Sequence, residues 1–195
     1  MFEGKRFLKG IVSLFLMLAL SACGGQNDQS AKDKTKQPPT SEKTSGSHEG
    51  MEHSGSGEVP AGLKEAANPK YKVGSKAVIN TDHMPGMNGA VATISGAFDT
   101  TAYVVSYTPT TGGKKVTGHK WVIHEELENP GNEPLKPGDE AKMTADHMKG
   151  MKGATATIES AEKTTVYMVD YTPTTGGEKV TNHKWVTESE LSPTK

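Results

Sequence analysis

Two octapeptides of the form Asp-His-Met-x-Gly-Met-x-Gly occupy residues 82–89 and 146–153. Each sets an imidazole and two thioethers within five positions: His83, Met84 and Met87, then His147, Met148 and Met151. Imidazole and thioether together form a soft donor set that suits copper, and Cu(I) better than Cu(II). They discriminate against magnesium and calcium, which take oxygen. Zinc can use the histidines but gains little from Met. On a regular strand His83 and Met84 point to opposite faces. In a loop freed by Gly86 and Gly89, both can turn toward one ion. The competing reading is structural: Met fills irregular cores well, and Gly-x-x-Gly segments are common turns. A third group, His48, Met51 and His53, weighs for ligation, because its polar surroundings offer Met51 no core to fill.

The elements that must position these groups follow from an internal repeat. Residues 74–127 align with 138–191 at an offset of 64 positions without a gap, and 33 of the 54 pairs are identical. The joining segment, residues 128–137, is rich in Pro and Gly and reads as a linker. Tyr103, Val105 and Tyr107 match Tyr167, Val169 and Tyr171, while the positions between them differ. Ala90, Ala92 and Ile94 match Ala154, Ala156 and Ile158 with the same period of two. That period marks strands with one buried face. Further strands are expected over residues 76–80 and 115–122, and Tyr-Thr-Pro-Thr-Thr-Gly-Gly at 107–113 reads as the turn between two of them. A short helical turn is expected over residues 60–67, ending at Asn68-Pro69. The expected fold is all-β: two tandem small antiparallel β domains of about five strands, SH3-like partly open barrels, after a disordered N-terminal tether. The expected boundaries are 70–129 for the first repeat and 130–195 for the linker and second repeat. A unit of this size is marginal alone without disulfides or metal, so the two units must pack together or gain stability from a ligand.

The N-terminal part reads differently. Lys5, Arg6 and Lys9 precede an apolar run over residues 11–20, and Leu-Ser-Ala-Cys23 follows. This is the layout of a secretory signal over residues 1–22. Its end resembles a bacterial lipobox, which makes Cys23 the lipidated first residue of the mature chain; an ordinary signal peptide with an incidental Cys is the alternative. The polar segment 24–57 lacks the apolar side chains needed to offset chain entropy and reads as part of a flexible tether over residues 23–69. The expected location is the extracellular face of the cytoplasmic membrane. Cys23 is the chain's single cysteine, so with lipid attached no thiol is left for metal or disulfide. A formal net charge of −1 argues against a nucleic-acid partner.

His119 and His183 stand two residues before Trp121 and Trp185, so each is either packed against an indole or an additional metal ligand. The Glu-rich ends, Glu125-Glu126 and Glu188 with Glu190, read as solvated faces. Nucleophile, phosphate-loop and His-Glu-x-x-His motifs are missing from the sequence, so no enzymatic activity is expected. Three readings follow: copper sequestration, copper delivery to an exporter, or cell-wall binding through exposed Tyr and Trp rows.

The Leu-Ser-Ala-Cys motif, the His-rich tether, and the repeated Asp-His-Met-x-Gly-Met-x-Gly-Ala, Tyr-Thr-Pro-Thr-Thr-Gly-Gly and His-Lys-Trp-Val segments also carry a resemblance. Over nearly its whole length the chain resembles the YdhK-like tandem-repeat lipoproteins of Gram-positive bacteria, which include the CopL copper-binding lipoproteins. That resemblance implies extracellular copper binding and copper resistance, with His83, Met84, Met87, His147, Met148 and Met151 as candidate ligands.

Overall fold

Period-two patterning marks the two ends of residues 91–107 and of residues 155–171, and each stretch forms one strand. The computed structural model describes residues 54–195. Cys23, His48, Met51, His53 and most of the expected tether lie outside the described residues. The strands are β1 (Lys64–Glu65), β2 (Lys76–Ile79), β3 (Val91–Tyr107), β4 (Val116–Ile123), β5 (Glu140–Lys142), β6 (Thr155–Tyr171), β7 (Val180–Thr187) and β8 (Leu191–Pro193). All pair antiparallel in one open sheet. Single 3-10 turns follow β4, at His124–Glu126, and β7, at Glu188–Glu190. The all-β class is as expected. The helical turn expected over 60–67 is instead a single turn, closed by the Leu63 N–H donating to the Pro60 carbonyl, followed by β1, whose Lys64 and Glu65 pair with Asp99 and Phe98.

The principal difference from expectation is strand length. The stretches 90–94 and 103–107 read as two strands, yet residues 91–94 and 103–107 belong to one 17-residue strand, with Ala90 just before it. Its partner is the equivalent strand of the other repeat. Ala92 pairs with Tyr171, Thr100 with Thr164, and Tyr107 with Ala156. Thr100 and Thr164 are separated by the repeat offset, so each residue faces its own counterpart at this point. The pairing therefore has a pseudo-twofold axis between the two threonines. At about 3.3 Å per residue, each strand is roughly 50 Å long and reaches from one lobe of the molecule into the other.

The axis exchanges elements between repeats. In one lobe, β2 and the first half of β3 bring Ile79, Met87, Ala92 and Ile94 onto Tyr167, Val169 and Tyr171 of β6. In the other, Met143, Met151, Ala156 and Ile158 pack onto Tyr103, Val105 and Tyr107 of β3. Ile79 pairs with Leu191, and Met143 with Leu127, which closes the two lobes in equivalent fashion. A third cluster holds both indoles, Trp121 and Trp185, with Phe98, Val166 and Met168. Neither repeat encloses a core with its own strands.

Pooling of strands explains how 60-residue units without disulfides become stable: two marginal cores are assembled from shared strands. A chain holding only residues 137–195 should fail to fold as a monomer. Circular dichroism with analytical ultracentrifugation is expected to show either an unfolded monomer or a β-rich dimer. A folded monomeric single repeat would contradict the exchange.

Candidate metal centre

Each octapeptide forms an irregular loop, one between β2 and β3 and one between β5 and β6. Two turn bonds shape the first: Met87 N–H donates to the Met84 carbonyl (3.2 Å), and Ala90 N–H donates to that of Met87 (3.1 Å). The loop rests on the hairpin of the other repeat. Thr174 N–H donates to the Gly86 carbonyl at 2.8 Å, and Thr110 N–H to the Gly150 carbonyl at 2.9 Å. The two most repetitive motifs of the sequence are therefore docking partners across the repeats. Gly86 and Gly150 are required twice over. Their φ angles are +77° and +80°. A Cβ on Gly86 would lie 2.5 Å from Thr175 Oγ1, and one on Gly150 2.6 Å from Thr111 Oγ1.

The loops divide their soft donors. Met87 and Met151 are fully buried at 0 % exposure and belong to the two cores. The structure gives them the packing role that was weighed against ligation. Met84 is half-buried against the first core, and Met148 is half-buried as well. His83 and His147 point elsewhere. His83 Nε2 lies 2.8 Å from Glu190 Oε1, and His147 Nε2 lies 2.7 Å from Glu126 Oε1. In each pair the histidine and the glutamate come from different repeats.

The two glutamates organise the centre. Glu190 Oε2 accepts the Trp121 indole N–H (2.8 Å) and the Thr187 amide (3.1 Å). Glu126 Oε2 accepts the Trp185 indole N–H (3.0 Å) and the Ile123 amide (3.2 Å). The expectation that these residues are solvated is overturned: Glu126 and Glu190 side chains are 6 % and 11 % exposed. Burial alone would raise the Glu190 carboxyl. The hydrogen bonds from His83, the Trp121 indole and the Thr187 amide outweigh it and hold the group down at about 2. A signal for both residues was present in the sequence. Glu126 and Glu190 are identical across the repeats, while their neighbours His124 and Glu125 are replaced by Glu188 and Ser189.

A carboxylate only accepts hydrogen bonds, so the ring nitrogen facing it must carry the proton. In the neutral ring this leaves Nδ1 as a bare lone pair. Nδ1 of His83 and Nδ1 of His147 are both buried and have no hydrogen-bond partner among the described residues. A carboxylate holding one nitrogen of an imidazole while the other stays bare is the arrangement that orients a metal-ligating histidine.

His119 joins this group. Its ring contacts Tyr107 edge-on at 5.9 Å, and His183 contacts Tyr171 in the same way at 5.8 Å. The expected packing partners were the indoles; the tyrosines of the adjacent strands take that place. Nε2 of His119 is also buried and, among the described residues, without a hydrogen-bond partner. Desolvation first, then the nearby His147 and His83, lower its pKa to about 4, which keeps the ring neutral at pH 7. Among the described residues, no three His, Cys, Asp or Glu side chains form a metal cage by themselves.

Comparison with known proteins agrees with this architecture. A family model described as "Protein of unknown function (DUF1541)" matches residues 73–124 and again 137–188. The chain belongs to the DUF1541 family. It is 62 % identical to the uncharacterized protein YdhK of Bacillus subtilis (strain 168), over 96 % of this chain and 89 % of that protein. A 2.00 Å crystal structure of B. subtilis YdhK has a TM-score of 0.72 at 69 % identity, covering 75 % of this chain and all of that one. The solution structure of the YdhK C-terminal domain gives a TM-score of 0.60 at 70 % identity, covering 62 % of this chain and 92 % of that one.

Two outcomes follow. Gly86→Ala or Gly150→Ala should cost about 1–3 kcal/mol in urea unfolding, from the left-handed backbone alone, with the threonine contact adding to it. Stability of the metal-free protein should also fall with acid. His119 binds a proton near 6.5 when unfolded but only near 4 when folded, so stability is lost as pH drops across that interval. Glu190 adds a second loss between 4.5 and about 2, because its folded form resists protonation. Urea midpoints measured from pH 7 to pH 3 test both, and His119→Phe should flatten the upper part of the curve.

Proposed function

We propose that this protein binds copper, as Cu(I), at the extracellular face of the cytoplasmic membrane, where a lipid on Cys23 anchors it, and that it sequesters the ion. One observation carries the reading. Two equivalent imidazoles, His83 and His147, are each braced at Nε2 by a buried carboxylate and hold a bare, buried Nδ1. Leaving a buried polar atom unpaired costs about 1–3 kcal/mol, and this chain repeats that cost in both halves. A bound ion offsets it. Met84 and Met148, next in the chain to each histidine, add a thioether to each imidazole, a pairing that favours copper over calcium, magnesium or zinc.

The cell-wall reading loses its support. It needs rows of exposed Tyr and Trp, whereas Tyr103, Tyr107, Tyr167, Tyr171, Trp121 and Trp185 are all buried.

Titration of the full chain with Cu(I) against a competing chelator tests the proposal. Tight binding is expected, and the double variant His83→Gln, His147→Gln should weaken it at least about 100-fold, beyond the 10–100-fold typical of losing an outer-shell partner. Glu126→Gln should fall within that smaller range. Unchanged stoichiometry and affinity in the double variant would remove the histidines from the site. In cells, Cys23→Ala should release the protein into the medium.

A further inference from the structure

We propose that one metal ion is shared between the two repeats, held by Nε2 of His119 from the first and Nδ1 of His147 from the second. The inference rests on the copper reading above and identifies one of its sites. Both nitrogens are buried, and neither has a hydrogen-bond partner among the described residues. Their rings are neighbours, with centroids 6.4 Å apart and planes tilted by 37°.

The spacing discriminates between ways of joining two imidazoles. A direct N–H···N hydrogen bond of about 3 Å would bring the centroids to about 5 Å, because each ring nitrogen lies about 1 Å from its ring centre. Metal–nitrogen bonds of about 2 Å on either side of an ion place them about 6 Å apart. The observed 6.4 Å is longer than a direct hydrogen bond between the rings would set and leaves room for an ion between them.

The surroundings hold both rings ready. Glu126 fixes His147 from behind at 2.7 Å, and Glu126 is itself fixed by the Trp185 indole and the Ile123 amide. Tyr107 packs edge-on against His119 at 89°, which sets the plane of that ring. His119 lies on β4 and His147 in the loop before β6. The two therefore meet only because the lobe combines strands of one repeat with the loop of the other.

The donor count selects the ion. Among the described residues no third His, Cys, Asp or Glu completes a cage with the pair, and two imidazole nitrogens do not satisfy zinc, which takes four ligands. A monovalent d10 ion accepts two nitrogens, and Cu(I) or its redox-inert analogue Ag(I) meets that condition. The half-buried thioether of Met148 is the adjacent soft donor along the chain.

The test uses the full chain, labelled with 15N-histidine and loaded with 109Ag(I). One silver nucleus should couple to Nε2 of His119 and Nδ1 of His147 together. In a parallel Cu(I) titration, His119→Gln should lose one equivalent of ion, while its metal-free thermal transition shows that the fold is retained. Silver coupled to only one of the two rings would overturn the shared site. Wild-type copper stoichiometry and affinity in His119→Gln, alongside loss in the His83/His147 double variant, would overturn it too and leave the copper reading standing. If the unaltered chain takes up neither ion against a competing chelator, both fail.

Discussion

The pairing of β3 with β6 about Thr100 and Thr164 is the constraint on which the rest of the molecule depends. Each strand is too long for one small core and serves two. Its first half packs with one group of partners and its second half with another. Because the two strands run antiparallel through a pseudo-twofold axis, each half meets the opposite half of the other repeat. Every later contact between repeats follows from this: loop on hairpin, histidine on glutamate, and the closing pairs Ile79–Leu191 and Met143–Leu127.

Burial of two carboxylates then shapes the centre. An ionised group removed from water must be paired and hydrogen-bonded, or it is strongly destabilising. Glu126 and Glu190 each meet that demand with an indole, a backbone amide and an imidazole. The first two donors can do nothing else. The imidazole has a second nitrogen, and satisfying the carboxylate with the first turns the second inward. Charge compensation for the fold and ligand orientation for an ion are thus the same set of bonds. The cost is a group of bare nitrogens, on His83, His147 and His119, which the described residues leave unpartnered.

Much of this was legible from the residues. The period of two in Tyr103, Val105 and Tyr107 gave a strand, and Pro109 with Gly112 and Gly113 gave its turn. The octapeptides fell between strands, where they are found. Other features were not legible, for physical reasons. Met87 sits one turn along from Met84 in the same loop, and nothing in its type says that it enters the core. Glu126 lies in an acidic stretch that reads as solvated, because composition describes a segment and burial is a property of one side chain. Residues 95–102 carry Gly96, Asp99 and small polar groups, so they read as a break between strands; their continuity comes from a partner strand 64 residues away.

The all-β class, the repeat and its offset, the loops with their soft donors, and the glycines that let those loops turn can all be read from the chain's residues. These rest on local chemistry: alternation, turn propensity and donor type are complete within a few residues. Which repeat each element joins, which Met is packed, and which nitrogens are left bare depend on long-range packing. Two nearly identical repeats present the same apolar pattern, so a strand's own sequence fits either copy. Long strands crossing at Thr100 and Thr164 settle that choice, and burial then assigns each donor to the core or to the centre.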